Sequence, residues 1–155
     1  MAPNVTDWLA QRNRGIHMTI RDIDCQDFGV EAMIRTFADW KVTFFSFFAA
    51  GYVTTYPTAL PLQRKSPWLG DRDLTGEIIE MAHRYGIKAI PMIDLGQLPE
   101  TAFQVHPEWA AVDTAGDPAK AADGPLYRAC PLGGYIQGYC RQIVVELCAR
   151  YDVDA

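Results

Sequence analysis

Apolar and polar positions along this chain switch repeatedly between a two-residue and a helical period. In "GIHMTIRDID" they alternate after a glycine, which predicts a first strand from about Ile16 to Ile23. In "DFGVEAMIRTFADW", Phe28, Met33, Ile34, Phe37 and Ala38 recur at helical spacing, with Asp27 as the expected N-cap. "KVTFFSFFAA" is nearly continuous in apolar residues, which suits a strand covered on both faces. The segment "GYVTTYPTALPLQRKSPWLGDR" carries three prolines and reads as a long loop. "DLTGEIIEMAHRYG" is the clearest helix. Asp73 caps it, Leu74, Ile78, Met81, Ala82 and Tyr85 form its stripe, and Gly86 stops it. "IKAIPMID" is the third strand. A second excursion, Leu95 to Pro131, holds a helical turn near "PETAFQ" and a tight turn at Ala115-Gly116-Asp117. The last helix is "GGYIQGYCRQIVVELCARY", with Ile136, Tyr139, Cys140, Ile143, Leu147 and Tyr151 on one face. "DVDA" then opens a fourth strand.

The order β-α-β-α-β-α-β predicts an α/β fold with parallel strands and right-handed helical crossovers. A (β/α)8 barrel takes about 250 residues. Three βα units, two long loops and the start of a fourth strand make roughly half of one. The expectation is therefore a partial TIM barrel: residues 1–155 form the N-terminal part of a single barrel domain, truncated at the C-terminus. The other reading is a complete small open-sheet module with a short edge strand.

Composition narrows the function classes. The 155 residues carry a formal net charge of −5, which disfavours a nucleic-acid partner. The N-terminus lacks a signal-peptide core and no apolar run approaches a membrane span, so no membrane partner is expected and the cytoplasm is the expected compartment. Cys25, Cys130, Cys140 and Cys148 match no zinc or redox spacing and are expected to be buried thiols. His17, His83 and His106 sit on unrelated elements, so no metal site is expected. "GQLPE" and "PLGGYIQG" lack the phosphate-loop pattern, and no cofactor is implied.

Five stretches in order, "GIHMTIRD", "GYVTTYPT", "DLTGEIIEMAHRYGIK", "HPEWAAVDTAGDP" and "CPLGGYIQGYCRQIVVELCARYDVDA", resemble one family pattern from about Arg14 to Ala155. The chain is similar to the N-terminal half of the group labelled hypothetical glycosyl hydrolase 6, akin to α-L-fucosidases and barrel β-galactosidases. That resemblance implies a carbohydrate substrate bound at the C-terminal ends of the barrel strands. It implies hydrolysis of a glycosidic bond by two carboxylates, the fucosidase-type nucleophile falling just beyond Ala155. This chain alone would then be inactive. Its partners would be the remainder of the barrel, or another copy through the open sheet edges. Two features depart from the pattern: His17 is followed by Arg21 rather than a second histidine, and strand three ends "MIDLGQ" rather than in a tyrosine–serine pair.

Barrel chemistry is done at strand ends and in the loops after them. Arg21, Asp22 and Asp24 follow strand one, Tyr52 and Tyr56 strand two, and Asp94 and Gln97 strand three. The expected substrate contacts are His17, Arg21, Asp22, Tyr52, Tyr56, Asp94, His106 and Trp109. Asp94 would take a sugar hydroxyl, and Tyr52, Tyr56 and Trp109 would stack on sugar faces. Five of them have a plainer role as well. Arg21 and Asp22 could pair, Asp94 could cap the next turn, Trp109 could anchor the core, and His17 could be a core histidine. Cys130 and Tyr135 also fall after strand three. No catalytic residue is assigned within the chain. The rival to an enzyme half is a non-catalytic carbohydrate-binding or interaction module.

Overall fold

The computed structural model describes residues 8–121 and 126–155. Three parallel strands, β1 (Gly15–Met18), β2 (Phe44–Ala50) and β3 (Lys88–Ile93), form a sheet in the order β1-β2-β3. Helix α1 (Val30–Asp39) links the first pair and α2 (Leu74–Arg84) the second. β2 is central, and its alternation divides the sheet into two unlike faces. Phe45, Phe47 and Ala49 are fully buried, with Phe45 packed edge-on against Phe37 of α1. Phe44 and Phe48 point the other way and stay half-exposed. The register sets His17, Ser46 and Ile90 side by side on that second face, with Phe48 opposite Met92, which is 38% exposed. In a closed barrel this would be the lumen face.

Several expectations need correction. β1 ends at Met18 rather than Ile23. The Asp24 carboxylate accepts a hydrogen bond from the Arg21 backbone N–H at 2.8 Å, which turns the chain into a 3-10 segment over Ile23–Cys25. Asp27 does not cap α1; Gly29 occupies that position and offers no side chain. Asp73 does cap α2, accepting from the Gly76 N–H at 2.9 Å, but Tyr85 lies outside the buried stripe. Cys25 and Cys140 are buried, whereas Cys148 is exposed and Cys130 intermediate; all four are free thiols.

The second excursion is more ordered than its sequence suggests. β4 (Gln97–Pro99) and β5 (Leu126–Arg128) pair antiparallel, with α3 (Glu100–Val105) between them. The turn at Gly116 forms as expected, held by the N–H groups of Ala115 and Asp117 on the Asp113 carboxylate. The last helix does not begin as an α-helix. Tyr135–Tyr139 is a π-helical turn, which then runs into α4 (Cys140–Arg150). The wider turn puts Tyr135 as well as Tyr139 into the core.

The expected fourth strand is not formed, although its first residues lie beside β3. Asp154 donates its N–H to the Ala89 carbonyl at 3.1 Å. The next rung of a parallel ladder would need the N–H of residue 91, which is Pro91 and has none. Instead the Asp154 carboxylate accepts from the Ala89 N–H at 2.9 Å, from Lys88 Nζ at 2.8 Å and from His83 Nε2 at 2.8 Å. Among the described residues no helix is long and apolar enough to cross a membrane.

Candidate functional site

The segments that follow β1, β2 and β3 meet in one arc over the C-terminal ends of the strands. The loop after β2 is its backbone. Far from being an open excursion, it buries Val53, Thr54, Thr55, Tyr56, Gln63, Ser66 and Leu69. Its Arg64 guanidinium pairs with the Asp22 carboxylate from the turn after β1 and lies 5.8 Å from the centre of the Tyr52 ring. Ser66 donates its hydroxyl to the Asp22 carbonyl at 3.1 Å. Asp22 is thus held by two residues of the neighbouring loop, and its partner is Arg64 rather than Arg21. Arg21 points to solvent and pairs with Asp24. The Arg21 backbone N–H and guanidinium together hold the Asp24 carboxyl below its ordinary range.

β2 and β3 are tied together at Gly51 and Asp94. Gly51 has a φ of +103°, and a Cβ there would lie 2.2 Å from the Asp94 carbonyl oxygen, so only glycine fits. Asp94 donates its N–H to the Ala50 carbonyl at 3.0 Å, and its Oδ1 accepts from the Gly96 N–H at 3.0 Å. The expected capping of the following turn is therefore present. It uses one carboxylate oxygen and leaves the half-buried side chain at the rim. Gln63 closes the arc from above, its Oε1 accepting from the Gly51 N–H at a long 3.4 Å.

Buried side-chain polar atoms without partners concentrate here. Among the described residues they are Asp22 Oδ1, Gln63 Nε2, Arg64 Nη1, Gln97 Oε1 and the Tyr135 hydroxyl. Native proteins satisfy nearly all such groups with protein or ordered water. Tyr135 reaches the arc from the π-helical turn, an element found frequently at functional sites. Burial first, and then the nearby Cys140, push its phenol up, so it stays protonated. The Gln63 amide lies close to it without meeting hydrogen-bond geometry.

The remaining expected contacts divide. His17 stands exposed on the second face of the sheet, with Nδ1 3.0 Å from Ser46 Oγ and its ring edge-on to Phe48. It is not a core histidine. Tyr56 is fully buried and cannot stack on a ligand. Its hydroxyl donates to Glu146 of α4 at 2.9 Å, alongside Thr58 at 2.6 Å and the Ala59 N–H at 2.7 Å. Trp109 is likewise an anchor. The His106 ring stacks on the indole at 3.9 Å, and Tyr135 and Tyr139 lie about 6 Å away on the helix it packs against. Gly134 admits this packing, since a Cβ there would meet the indole nitrogen at 2.4 Å. His106 is occupied twice, by Trp109 and by Glu108 at 3.0 Å. The arc therefore contains Asp22, Tyr52 and Asp94, with His17 below it on the sheet face. Gln63, Arg64 and Ser46 were not anticipated. Nothing in sequence distinguishes Gln63 and Arg64 from the other polar residues of a long loop, whereas Ser46, polar in an apolar strand, was visible.

Two depressions of the surface lie beside the sheet rather than in the arc. One of about 530 Å³ flanks the free edge of β1, near Met18, Phe28 and Met33. An apolar one of about 320 Å³ runs between β3 and α4, along Ile93, Val144 and Val153. The arc itself is an open rim. No group of three or more metal-ligating side chains is present among the described residues, and the arc's carboxylates and amides suit hydroxyl partners.

Solved structures share the fold. The alpha-L-fucosidase isoenzyme 2 from Paenibacillus thiaminolyticus superposes over 94% of this chain with a TM-score of 0.73 at 23% identity. A noncanonic maltogenic alpha-amylase AmyB from Thermotoga neapolitana covers 91% of the chain with a TM-score of 0.57 at 12% identity. A GH20 exo beta-N-acetylglucosaminidase from Vibrio harveyi covers 89%, with a TM-score of 0.50 at 17% identity. This chain spans only 23%, 37% and 25% of those proteins, respectively. No curated protein matches the sequence. The model of one family, described as hypothetical glycosyl hydrolase 6, matches residues 25–155, and the chain belongs to that family.

Proposed function

We propose that this chain forms the substrate-contacting first part of a single (β/α)8 barrel that hydrolyses a glycosidic bond. The observation that carries the reading is the convergence of Asp22, Tyr52, Gln63, Arg64 and Asp94 over the C-terminal ends of β1, β2 and β3. A sugar presents several hydroxyls, each donor and acceptor, and matches such a mixed set of amide, carboxylate, guanidinium and phenol. Strand ends are where barrels of this class place their chemistry, and the family points to the same reaction class. Asp94, Asp22 and Tyr52 make the direct contacts in this reading, and His17 reaches the same space from the sheet face. The hydrolytic carboxylate pair belongs to the rest of the barrel, which also covers the half-exposed face of Phe44, Phe48 and Met92 and pairs with the free edges of β1 and β3. The four free cysteines support a reducing compartment, the cytoplasm in this reading.

The test is a hydrolysis assay of the full-length gene product against 4-nitrophenyl glycosides of fucose, galactose, glucose and N-acetylglucosamine in both anomers. Turnover of at least one, absent from the 155-residue chain alone, is the expected result. A full-length protein that turns over none of them, yet binds a sugar, favours the non-catalytic module.

A further inference from the structure

We infer that Trp68 is an aromatic platform for a second sugar ring, and hence that the substrate is an oligosaccharide or other ring-extended glycoside. This rests on the reading above and adds a subsite to it. Of the three aromatic residues expected to stack on sugars, Tyr56 is buried, Trp109 has a face covered by His106, and Tyr52 has the Arg64 guanidinium over it. Trp68 is 48% exposed and lies on the same loop. Its exposure is built in. Ser66 and Leu69 on either side are 2% and 3% exposed, and the Leu69 N–H donates to the Ser66 carbonyl at 3.2 Å, so Pro67 and Trp68 form the apex of a tight turn. The Trp68 N–H donates to Ser66 Oγ at 3.2 Å, and that hydroxyl in turn donates to the Asp22 carbonyl. The turn is therefore pinned to the residue that pairs with Arg64. Pro67 restricts the backbone further. A rigid turn that holds a large apolar ring half in water, tied to an Asp–Arg pair, has the makeup of a carbohydrate subsite. The ring supplies an apolar face for pyranose C–H groups, and the Ser66 hydroxyl ties its turn to the Asp22–Arg64 pair. Asp94 and Tyr52 closely follow β3 and β2, whereas Trp68 stands further along the loop, so in this proposal Trp68 takes the more distant ring.

The experiment compares Trp68→Ala and Trp68→Phe with wild type in the full-length protein. The substrates are the methyl glycoside and the corresponding disaccharide of each sugar in the panel above. The expected result is that W68A raises KM for the disaccharide about tenfold, the scale of one aromatic contact. Methyl glycosides should stay within about twofold of wild type, and W68F should recover most of the loss. Wild-type hydrolysis with equal effects on both substrates, or none on either, overturns the platform and leaves the hydrolase reading intact. A wild-type protein that cleaves and binds none of the panel sinks both.

Discussion

Glu146 shows how a single side chain can organise the site without being part of it. Its carboxylate accepts three hydrogen bonds from the Tyr56–Ala59 segment and so fixes the start of the loop that carries Gln63, Arg64 and Trp68. Burial alone would raise its titration, but Thr58, the Ala59 N–H and Tyr56 outweigh it and hold it below the ordinary value of 4.5. A carboxylate depressed on folding stabilises the protein above its ordinary titration range, and that contribution is lost as the pH falls through its folded value. Glu146→Gln should cost about 2 kcal/mol at pH 7, the scale of charge-assisted hydrogen bonds. It should also flatten the loss of stability between about pH 5 and 3 relative to wild type. Urea titrations across that range check both, and parallel pH profiles for the two proteins would contradict the assignment. None of this was legible in sequence, because Glu146 and Tyr56 lie 90 positions apart. The placement of Asp22, Tyr52 and Asp94 near the strand ends was legible because position after a strand is a local property. Tyr56 and Trp109 were misjudged because residue type does not reveal what already covers a ring.

At the scale of elements, the long apolar and amphipathic segments were legible: β2, β3, α2 and most of α1 fall where their periodicity puts them. What escaped was set by single contacts. Asp24 ends β1 early, the three-residue β4 and β5 are too short to show a period, and a π-helical turn adds Tyr135 to the core. The junction of β2 and β3 depends most on one residue. Gly51 combines a left-handed φ with backbone contact to Asp94, so Gly51→Ala cannot be accommodated by a side-chain shift. The substitution should destabilise by at least 2 kcal/mol and, by displacing Asp94, raise KM of the full-length protein. Chemical denaturation and steady-state kinetics on one sample check this; an unchanged KM would separate Asp94 from substrate contact.

The whole molecule is a sheet with one finished face and one open one. Helices bury Phe45, Phe47 and Ala49 on the first, while His17, Phe44, Phe48 and Met92 line the second. Among the described residues, the buried polar atoms without partners gather at the end where the strands point. The Asp154 carboxylate holds the last residues beside β3, where a fourth parallel strand would run. The proposed reading gives these features one explanation: the chain is part of a barrel, and its ligand would sit over the strand ends. The most direct test is a crystal structure of the full-length protein with the sugar it releases. The account predicts a pyranose ring over the C-terminal ends of β1, β2 and β3, with Asp94 and Asp22 within hydrogen-bond distance of its hydroxyls. A sugar seated at the opposite end of the strands, or on the outer face of the helices, would contradict it.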